Sequence, residues 1–422
     1  MKEIIALILP ISKLDHFLSK MNCRNCNKKI INFFSLGQMP LVNFFLKKEE
    51  IPHEKKYDLS VGFCPKCYLV QLINTVSPEE LFRNYIYFSS TSKSFLEHCR
   101  KIADYLTRRL KLGPESLVLE IASNDGTQLQ FFKELGIKIL GVDPARNIAE
   151  VANKKSIPTI SEFFNYEFAK KMKEEQGVQA DLVFGANVLA HVLEIVDFVK
   201  GVKEILKPKG TAVFEFPYIK GLMENKFDII YHEHVFYYSL LALRNLFKKA
   251  DLEIYDVEMT PMQGGSLLIF ISHPNNFPMS ENAKNLADQE LKDGFDKIET
   301  YQKINENVTK IKEDIIFLLE KIKKEGGKIA VYSAPAKGNI LLNYFGIKNY
   351  LDFIVDKSEV KQGLYTPGTH LLIYPPKKVH QEKPDYLLIL AWNLAEEIID
   401  QLKDYHESGG KFIIPIPKAK VI

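Results

Sequence analysis

The sequence predicts an α/β protein in which a small metal-binding module precedes two Rossmann-like units. Three observations predict this fold class. Two C-x2-C pairs lie within residues 23–67, short apolar runs alternate with amphipathic stretches over 115–275, and this alternation returns over 326–422. Such alternation is typical of parallel sheets built from βαβ units. The length of 422 residues agrees, because about 150 residues per domain gives roughly three domains.

The composition excludes several classes of protein. Hydrophobic residues make up 46% and charged residues 26% of the chain, as in a soluble globular protein. The net charge of 56 − 53 = +3 argues against broad electrostatic binding of nucleic acid or of an acidic membrane. No apolar run approaches the roughly 20 residues that span a bilayer. Residues 4–9 are ended by Pro10 without a cleavage site, so we expect no signal peptide, and Met21 is an alternative start.

Four of the five cysteines form two close pairs. Cys23 and Cys26 make one C-x2-C pair, and Cys64 and Cys67 make the other. A tetrahedral zinc ion with four thiolates at about 2.3 Å is commonly built from two such knuckles. Ligation by all four leaves no open coordination position, so we predict structural zinc. Unmetallated thiols or two redox pairs are the alternatives. Reduced cysteines favour a cytoplasmic protein, and Cys99 is expected to be buried in a helix.

The remaining elements follow in order along the chain. We predict four segments: a zinc-binding domain over 21–75, a cofactor domain with a helical lead-in over 76–275, a helical connector over 276–325, and a C-terminal Rossmann-like domain over 326–422. The connector is rich in charged residues at helical spacing, which indicates one or two long exposed helices. The predicted strands are 30–36, 57–63, 117–121, 137–142, 181–184, 211–216, 266–271, 328–332, 350–355, 386–390 and 411–414.

A polar turn follows the first predicted strand of the central unit, where doubly wound sheets bind ligands. Glu120 is the last residue but one of this strand, and Asp125 lies in the turn. About twenty residues later the next strand ends at Asp143, which can accept both hydroxyls of a ribose. A dinucleotide site needs a G-x-G-x-x-G turn, but this turn has the single glycine Gly126. Carboxylates repel a pyrophosphate and suit a sulfonium and an amino group, so we predict S-adenosylmethionine in a class I methyltransferase domain.

The predicted cofactor-binding residues come from three loops at this edge of the sheet. The strand at 181–184 leads into a second loop, 185–192, that faces the same crevice. An α/β domain without a cofactor is the alternative. The predicted set is Glu120, Ala122, Asn124, Asp125, Gly126, Thr127, Asp143, Pro144, Asn187 and Val188.

The run Tyr231-His232-Glu233-His234 is the candidate for proton transfer. Histidine is the side chain best suited to move a proton near neutral pH, and a neighbouring carboxylate can fix its tautomer. A buried structural histidine is the competing interpretation. A metal site at His232 and His234 is disfavoured, because no further ligands follow them at a regular spacing. The expected location at the carboxyl edge of the sheet favours catalysis.

Polar and aromatic residues also lie between the zinc module and the cofactor domain. Tyr85, Tyr87, Ser89 and Ser90 fall within one short run there. Their hydroxyls could close over a substrate. Packing between domains is an equally good interpretation.

Together these motifs resemble the sugar C-methyltransferases that act on nucleotide-linked 4-keto deoxysugars. The resemblance covers essentially residues 22–418. That family has a four-cysteine zinc domain, a central S-adenosylmethionine domain and a C-terminal Rossmann-like domain. Ala122 departs from the family, which often has glycine there, and we expect a small effect if its φ is negative. The most specific pieces are the two C-x2-C pairs and the segments 120–126, 231–234, 332–339, 367–370 and 391–393.

The resemblance implies roles for individual residues. The general base corresponds to His234. An active-site tyrosine from the N-terminal part corresponds to Tyr85 or Tyr87. The partners of the base and a histidine on the cofactor-facing loop correspond to Glu233, Tyr231 and His191.

The resemblance also implies that the C-terminal domain helps to hold a nucleotide diphosphate. Lys337 and Asn339 lie in a strand-to-helix turn, where a helix N-terminus and a cation favour phosphate. Asn343 follows one helical turn later and completes the predicted substrate-binding set with Ser89 and Ser90. The alternative is that this turn has only a structural role in packing the strand against the helix.

The expected reaction begins when His234 removes a proton alpha to the sugar ketone, and the enolate carbon then takes the methyl group. Four alternatives remain. The protein could be an enzyme that methylates a sugar hydroxyl, a zinc-ribbon enzyme that methylates RNA, a nicotinamide-dependent enzyme or a non-catalytic scaffold. The low net charge argues against RNA as the methyl acceptor. We expect a nucleotide-diphosphate sugar as partner, with no nucleic acid or membrane partner. The protein is expected to be a cytoplasmic monomer or weak homo-oligomer.

Overall fold

The computed structural model describes residues 22–83 and 93–422. Within this part the chain forms three sheets, of four, seven and six strands. No helix in these two ranges is long and apolar enough to cross a membrane. The predicted site residues Tyr85, Tyr87, Ser89 and Ser90, and the alternative start Met21, lie outside the described residues.

The described helices and strands are numbered in chain order. The strands are β1 (Ile31–Pro40), β2 (Lys56–Phe63), β3 (Val70–Leu72), β4 (Leu117–Ile121), β5 (Lys138–Val142), β6 (Thr159–Ile160), β7 (Ala180–Ala186), β8 (Leu206–Pro217), β9 (Phe236–Tyr237), β10 (Glu253–Thr260), β11 (Ser266–Ser272), β12 (Ile329–Tyr332), β13 (Phe353–Val355), β14 (Ile373–Tyr374), β15 (Tyr386–Ile389), β16 (Lys411–Ile414) and β17 (Lys420–Val421). The α-helices are α1 (Pro78–Phe82), α2 (Lys93–Leu110), α3 (Thr127–Glu134), α4 (Arg146–Lys154), α5 (Tyr166–Gln176), α6 (Ile195–Ile205), α7 (Lys220–Met223), α8 (Leu240–Lys248), α9 (Glu281–Lys292), α10 (Ile298–Lys324), α11 (Ala336–Phe345), α12 (Lys377–Glu382), α13 (Ala395–Gln401) and α14 (Lys403–Glu407).

The first sheet joins the N-terminal module to the central unit. Strands β1, β2 and β3 are antiparallel, and the fourth strand is β9, from far along the chain. In this pairing Val70 faces Tyr237 and Gln71 faces Phe236. The sequence does not predict β9, because a two-residue strand carries no periodicity of its own. The pairing fixes the N-terminal module against the chain that follows the Tyr-His-Glu-His run.

The connector forms two helices, α9 and α10, as predicted, but α10 is not simply exposed. One face of α10 is buried, and Tyr301 on that face contacts two rings of the first sheet. Its ring centroid lies 5.4 Å from that of Phe33 and 4.9 Å from that of Phe63. The apolar residues recur every three or four positions along the helix, which gives it one core-facing stripe beneath a charged face.

The second sheet has the order β10-β11-β8-β7-β4-β5-β6. Strands β4 to β8 are parallel, as predicted for β4, β5, β7 and β8, whereas the sequence does not predict the two-residue β6. The expectation that residues 266–271 continue the parallel pattern is wrong, because β11 is antiparallel to both β8 and β10. Residues 261–265 connect β10 to β11, and so short a link allows a hairpin but not a crossover between parallel strands.

The third sheet has the order β14-β13-β12-β15-β16-β17 and is parallel except at β17. The strand expected at 350–355 begins only at Phe353, because Lys348–Tyr350 form a 3-10 turn. Helix α11 follows β12 and begins at the carboxyl edge of this sheet. These three sheets confirm the predicted fold class of a metal-binding module with two Rossmann-like α/β units.

Ala122 corrects one expectation from the sequence. Its φ is +57°, in the left-handed region, and not negative. Its amide donates to the carbonyl of Val142 at 2.7 Å, which holds the turn after β4 against β5. A residue with a Cβ atom pays about 1 kcal/mol or more in this conformation.

Replacing Ala122 by glycine is therefore expected to raise the free energy of unfolding by about 1 kcal/mol, because glycine adopts this φ without the Cβ penalty. Urea unfolding would measure this as a higher midpoint with an unchanged slope. Ala287→Gly in helix α9 is the control and should lose about 1 kcal/mol. An equal or lower midpoint for Ala122→Gly would contradict this reading of the turn.

Candidate active site

The four paired cysteines converge in the N-terminal module. All four sulfur atoms lie within 4.8 Å of one another. The Sγ atoms of Cys23 and Cys67 are 3.5 Å apart, and those of Cys26 and Cys64 are 3.4 Å apart. Sulfurs bound tetrahedrally at about 2.3 Å from zinc lie roughly 3.8 Å from each other, so the cluster fits the ion. Hydrogen bonds from Cys64 and then Cys67 lower the pKa of Cys23, and the same contacts with Cys23 raise the pKa of Cys64 and Cys67, because the sulfurs are packed closely.

The two knuckles close in the same way. Asn27 and Tyr68, which follow the second cysteine of each pair, have φ values of +57° and +64°. Their amides donate to the carbonyls of Cys23 and Cys64, each at 2.8 Å. Such turns present both sulfurs of a pair to one point, as a closed structural site requires.

Residues 231–234 form a turn in which the amide of His234 donates to the carbonyl of Tyr231 at 2.9 Å. The Nδ1 atom of His234 lies 2.8 Å from the carbonyl oxygen of Ile229, and its Nε2 atom lies 2.8 Å from the hydroxyl of Tyr231. A carbonyl only accepts, so Nδ1 carries the proton. Nε2 is then the basic nitrogen and accepts from the Tyr231 hydroxyl.

The surroundings of His234 keep its ring neutral. Burial lowers the pKa of His234 well below its usual range, and the nearby His191 and Lys337 lower it further. The ring centroids of His191 and His234 are 4.9 Å apart and the planes are perpendicular. Desolvation also lowers the pKa of His191 to about 4. Both rings are therefore uncharged at neutral pH and can each donate one hydrogen bond and accept another.

The other two residues of the turn contact the zinc module. The amide of Asn43 donates to Glu233 at 2.6 Å, and the ring of His232 lies edge-on to Tyr57 with centroids 5.8 Å apart. The group that orients His234 is thus the Ile229 carbonyl, whereas Glu233 ties the turn to Asn43. The sequence does not predict these two contacts, because neither a carbonyl nor an isolated asparagine carries a motif.

The predicted cofactor residues gather at the carboxyl edge of the second sheet. Asp143 accepts from the amides of Asn124 and Ala145, each at 2.9 Å. Asp125 is bound by the Thr127 hydroxyl at 2.6 Å and by the Lys155 ammonium at 2.9 Å. Asp125 therefore organises the turn itself, which the sequence alone does not indicate.

Glu120 is the least satisfied of these acidic groups. It is 4% exposed, and its Oε2 atom has no hydrogen-bond partner among the described residues. Burial, then the charges of Asp143 and Asp125, raise the pKa of Glu120 well above its usual range. A buried oxygen without a partner at this edge fits a donor group on a bound cofactor.

The second loop at this edge follows β7. Asn187 has a φ of +56°, and its amide donates to the carbonyl of Glu215 at 2.6 Å. Val188 next to it is buried. On the opposite side, the carbonyl of Pro144 accepts from Arg83 at 3.5 Å, so the end of α1 reaches this edge.

The predicted substrate residues of α11 lie where the C-terminal sheet meets the zinc module. Asn339 is buried and donates to the carbonyl of Val42 at 2.8 Å. Asn343 donates to the carbonyls of Asn339 and Pro367 at 2.8 and 3.0 Å. The Asn339 side chain thus joins the C-terminal domain to the zinc module, whereas Asn343 binds within the C-terminal domain, and Lys337 is buried at the first turn of the helix.

Comparison with known proteins agrees with this architecture. Three families match consecutive parts of the chain. They are "Putative zinc binding domain" at residues 23–82, "Methyltransferase domain" at residues 93–257 and "C-methyltransferase C-terminal domain" at residues 261–417.

A curated relative matches nearly the whole chain. C-methyltransferase NovU of Streptomyces niveus is 34% identical over 405 residues, which are 95% of this chain and 96% of that protein. Among solved structures, magnesium protoporphyrin IX methyltransferase from Synechocystis PCC 6803 with bound SAH has a TM-score of 0.34 and 13% identity over 42% of this chain and 83% of its own. The CcbJ methyltransferase of Streptomyces caelestis also has a TM-score of 0.34, with 15% identity over 42% of this chain and 89% of its own. The chain therefore belongs to the C-methyltransferase family that includes NovU, and it is an S-adenosylmethionine-dependent C-methyltransferase with a zinc-binding N-terminal module.

Proposed function

We propose that this enzyme methylates a carbon atom next to the ketone of a nucleotide-linked 4-keto deoxysugar. The observation that carries the proposal is the tautomer of His234, whose basic Nε2 atom faces the Tyr231 hydroxyl while Nδ1 donates to a carbonyl. A neutral histidine held in this way has a nitrogen lone pair that can accept a proton from carbon. The 34% identity to a C-methyltransferase supports the same reaction class.

In the proposed mechanism the Nε2 atom of His234 takes the proton alpha to the ketone, and the electron pair of the C–H bond passes to the enolate. The Tyr231 hydroxyl then rotates, so that it donates its hydrogen bond to the enolate oxygen and no longer to Nε2. His191, which is neutral, offers a second N–H donor to the same oxygen. S-adenosylmethionine, when bound, would supply the methyl group: its S–CH3 bond would break as the enolate carbon forms the new C–C bond, and S-adenosylhomocysteine would leave. His234 then releases its proton to solvent.

The cofactor side of the proposal uses the residues at the edge of the second sheet. Asp143 is proposed to accept the ribose hydroxyls, and Glu120 to accept a donor of the bound cofactor. Gly126 precedes α3 and Thr127 begins it, while Asn187 and Val188 lie in the second loop. Ala122, Asn124, Asp125 and Pro144 complete the proposed set.

The substrate side of the proposal is the junction between the zinc module and the C-terminal domain. Lys337, Asn339 and Asn343 are proposed to border the nucleotide-diphosphate sugar there. The domain limits 21–75, 76–275, 276–325 and 326–422 stay predictions, as do the roles of Tyr85, Tyr87, Ser89 and Ser90. The expected cytoplasmic location, the monomer or weak homo-oligomer and the absence of a nucleic-acid partner also stay predictions.

Mass spectrometry of products tests the proposed function. The enzyme would be incubated with labelled S-adenosylmethionine and a panel of nucleotide-linked 4-keto deoxysugars in deuterated buffer. The expected product is a methylated sugar nucleotide, and unreacted substrate should carry deuterium at the carbon next to the ketone. Methylation of oxygen, with no exchange at carbon, would contradict the enolate mechanism. Cofactor binding without any sugar product would contradict the substrate class.

A further inference from the structure

A histidine–carboxylate pair that the mechanism does not use lies beside the cofactor edge of the second sheet. The Nε2 atom of His98, on α2, is 2.8 Å from Oε2 of Glu215, near the carboxyl end of β8. The Thr260 hydroxyl donates to Oε1 of the same carboxylate at 2.6 Å. The side chains of His98 and Glu215 are 13% and 4% exposed. Because a carboxylate accepts, Nε2 donates, and Nδ1 makes no hydrogen bond to any residue of the described ranges.

Two further hydrogen bonds place this pair next to the loops of the proposed cofactor site. Gln128, in the first turn of α3, donates to the carbonyl of Cys99, the neighbour of His98, at 3.0 Å. The amide of Asn187, in the loop after β7, donates to the carbonyl of Glu215 at 2.6 Å. The pair is therefore held between the turn that follows β4 and the second loop.

The register of the sheet places Glu215 on the same face as Glu120. Glu120 pairs with Phe184 of β7, and Ala186, two residues further along β7, pairs with Glu215. Paired residues of neighbouring strands point to one face of a sheet, as do residues two apart on one strand. Both carboxylates thus lie on the face that α2 covers, on strands about 10 Å apart.

The amino-acid end of S-adenosylmethionine carries an ammonium and a carboxylate. The acidic groups proposed for this site suit the ammonium and the ribose hydroxyls, whereas a bound carboxylate needs a donor that is preferably charged. The two cations described above at this edge are already bound to carboxylates, Lys155 to Asp125 and Arg83 to Glu79. The edge therefore needs a further donor for the cofactor.

We propose that His98 binds the carboxylate of S-adenosylmethionine. The ring donates to the cofactor through Nδ1 while Nε2 donates to Glu215, as an imidazolium can. Glu215, held by Thr260, is a positioning residue that orients the ring. The inference rests on the proposed location of the cofactor at this edge and is independent of the identity of the sugar. It assigns the helical lead-in a direct role in binding the cofactor.

The test compares S-adenosylmethionine with decarboxylated S-adenosylmethionine, which keeps the ribose, the sulfonium and the amino group. Calorimetry measures both affinities. The wild type should prefer S-adenosylmethionine by about 10- to 100-fold, the usual worth of a hydrogen bond between charged groups. His98→Gln can still donate to Glu215 from the position of Nε2, but it has no charge and no group at the position of Nδ1. We expect this variant to lose the preference and to bind the decarboxylated cofactor as the wild type does.

Three further variants separate the possible causes of a change. Lys101→Gln removes an exposed cation of the same helix and should keep the preference. Glu215→Gln leaves the ring in place without its counter-charge and should lose part of the preference. Asp143→Asn should weaken both cofactors alike, because both carry the ribose. If Asp143→Asn weakened neither, the proposed location of the cofactor would be wrong, whatever the result at His98.

Two results would overturn the role of His98. One is an unchanged preference in His98→Gln with the urea midpoint of the wild type. The other is an equal loss of affinity for both cofactors, which would mean that the pair only packs α2 against the sheet. His98→Asn, a smaller replacement, serves for the same comparison if the glutamine variant does not fold. An unchanged preference in Glu215→Gln would contradict the positioning role of Glu215.

Discussion

Replacing His234 by asparagine is expected to reduce kcat by about 10²- to 10⁴-fold, the usual contribution of a general base. The asparagine amide can still donate to the Ile229 carbonyl, which accepts from His234 at 2.8 Å, so the turn should keep its shape. It offers no basic nitrogen at the position of Nε2. Product formation would be followed by mass spectrometry, and the binding of S-adenosylmethionine, measured by calorimetry, should be unchanged.

A matched control lies in the same turn. His232 is as buried as His234, but its ring contacts Tyr57 of the zinc module. We expect His232→Asn to lower the melting temperature and to leave most of the turnover. Solvent exchange at the sugar carbon separates the two steps further, because a variant without the base should not exchange this proton. Wild-type turnover or exchange in His234→Asn would remove His234 from the mechanism.

The fold could be predicted where local pattern and tertiary structure agree. The spacing of the four cysteines indicates a common centre, and the buried strands β4, β5, β7 and β8 appear as short apolar runs because parallel strands are covered on both faces. Strand β9 could not be predicted, since its two residues gain their conformation from the partner β3. The left-handed φ of Ala122 could not be predicted for a similar reason. The turn is set by its hydrogen bond to Val142, which outweighs the preference of alanine.

The candidate site also contains residues that the sequence indicates and residues that it does not. Residue chemistry alone indicates the 231–234 run and Asp143, because few side chains can move a proton or bind a ribose, whereas the choice of His234 within that run comes from the family resemblance. The groups that position them are invisible to such reasoning. Ile229 acts through its carbonyl, and Asn43 acts across the interface with the zinc module. Asp125 and Asn339 are polar residues whose described contacts are structural, so composition does not distinguish them from ligand-binding groups.

Loss of zinc is expected to stop catalysis even though the metal has no open coordination position. Structural zinc contributes about 10–16 kcal/mol of binding free energy in small domains, much of it as folding energy. In this protein the zinc module also supports the 231–234 turn. The amide of Leu72 donates to the carbonyl of Val235 at 2.8 Å, next to the pairing of β3 with β9, and Asn43 holds Glu233.

Cys64→Ser should therefore lower the zinc content, the melting temperature and kcat together, while the edge of the second sheet still binds S-adenosylmethionine. Metal analysis, calorimetry and product formation measure these effects on one preparation. Cys99→Ala is the control, because Cys99 is buried in α2 outside the cluster. This variant should keep its zinc and its activity. If Cys64→Ser lost zinc but kept full kcat, the 231–234 turn would not depend on the module. A fall in kcat with unchanged cofactor binding would instead mean that the metal acts on catalysis through the backbone that carries His234.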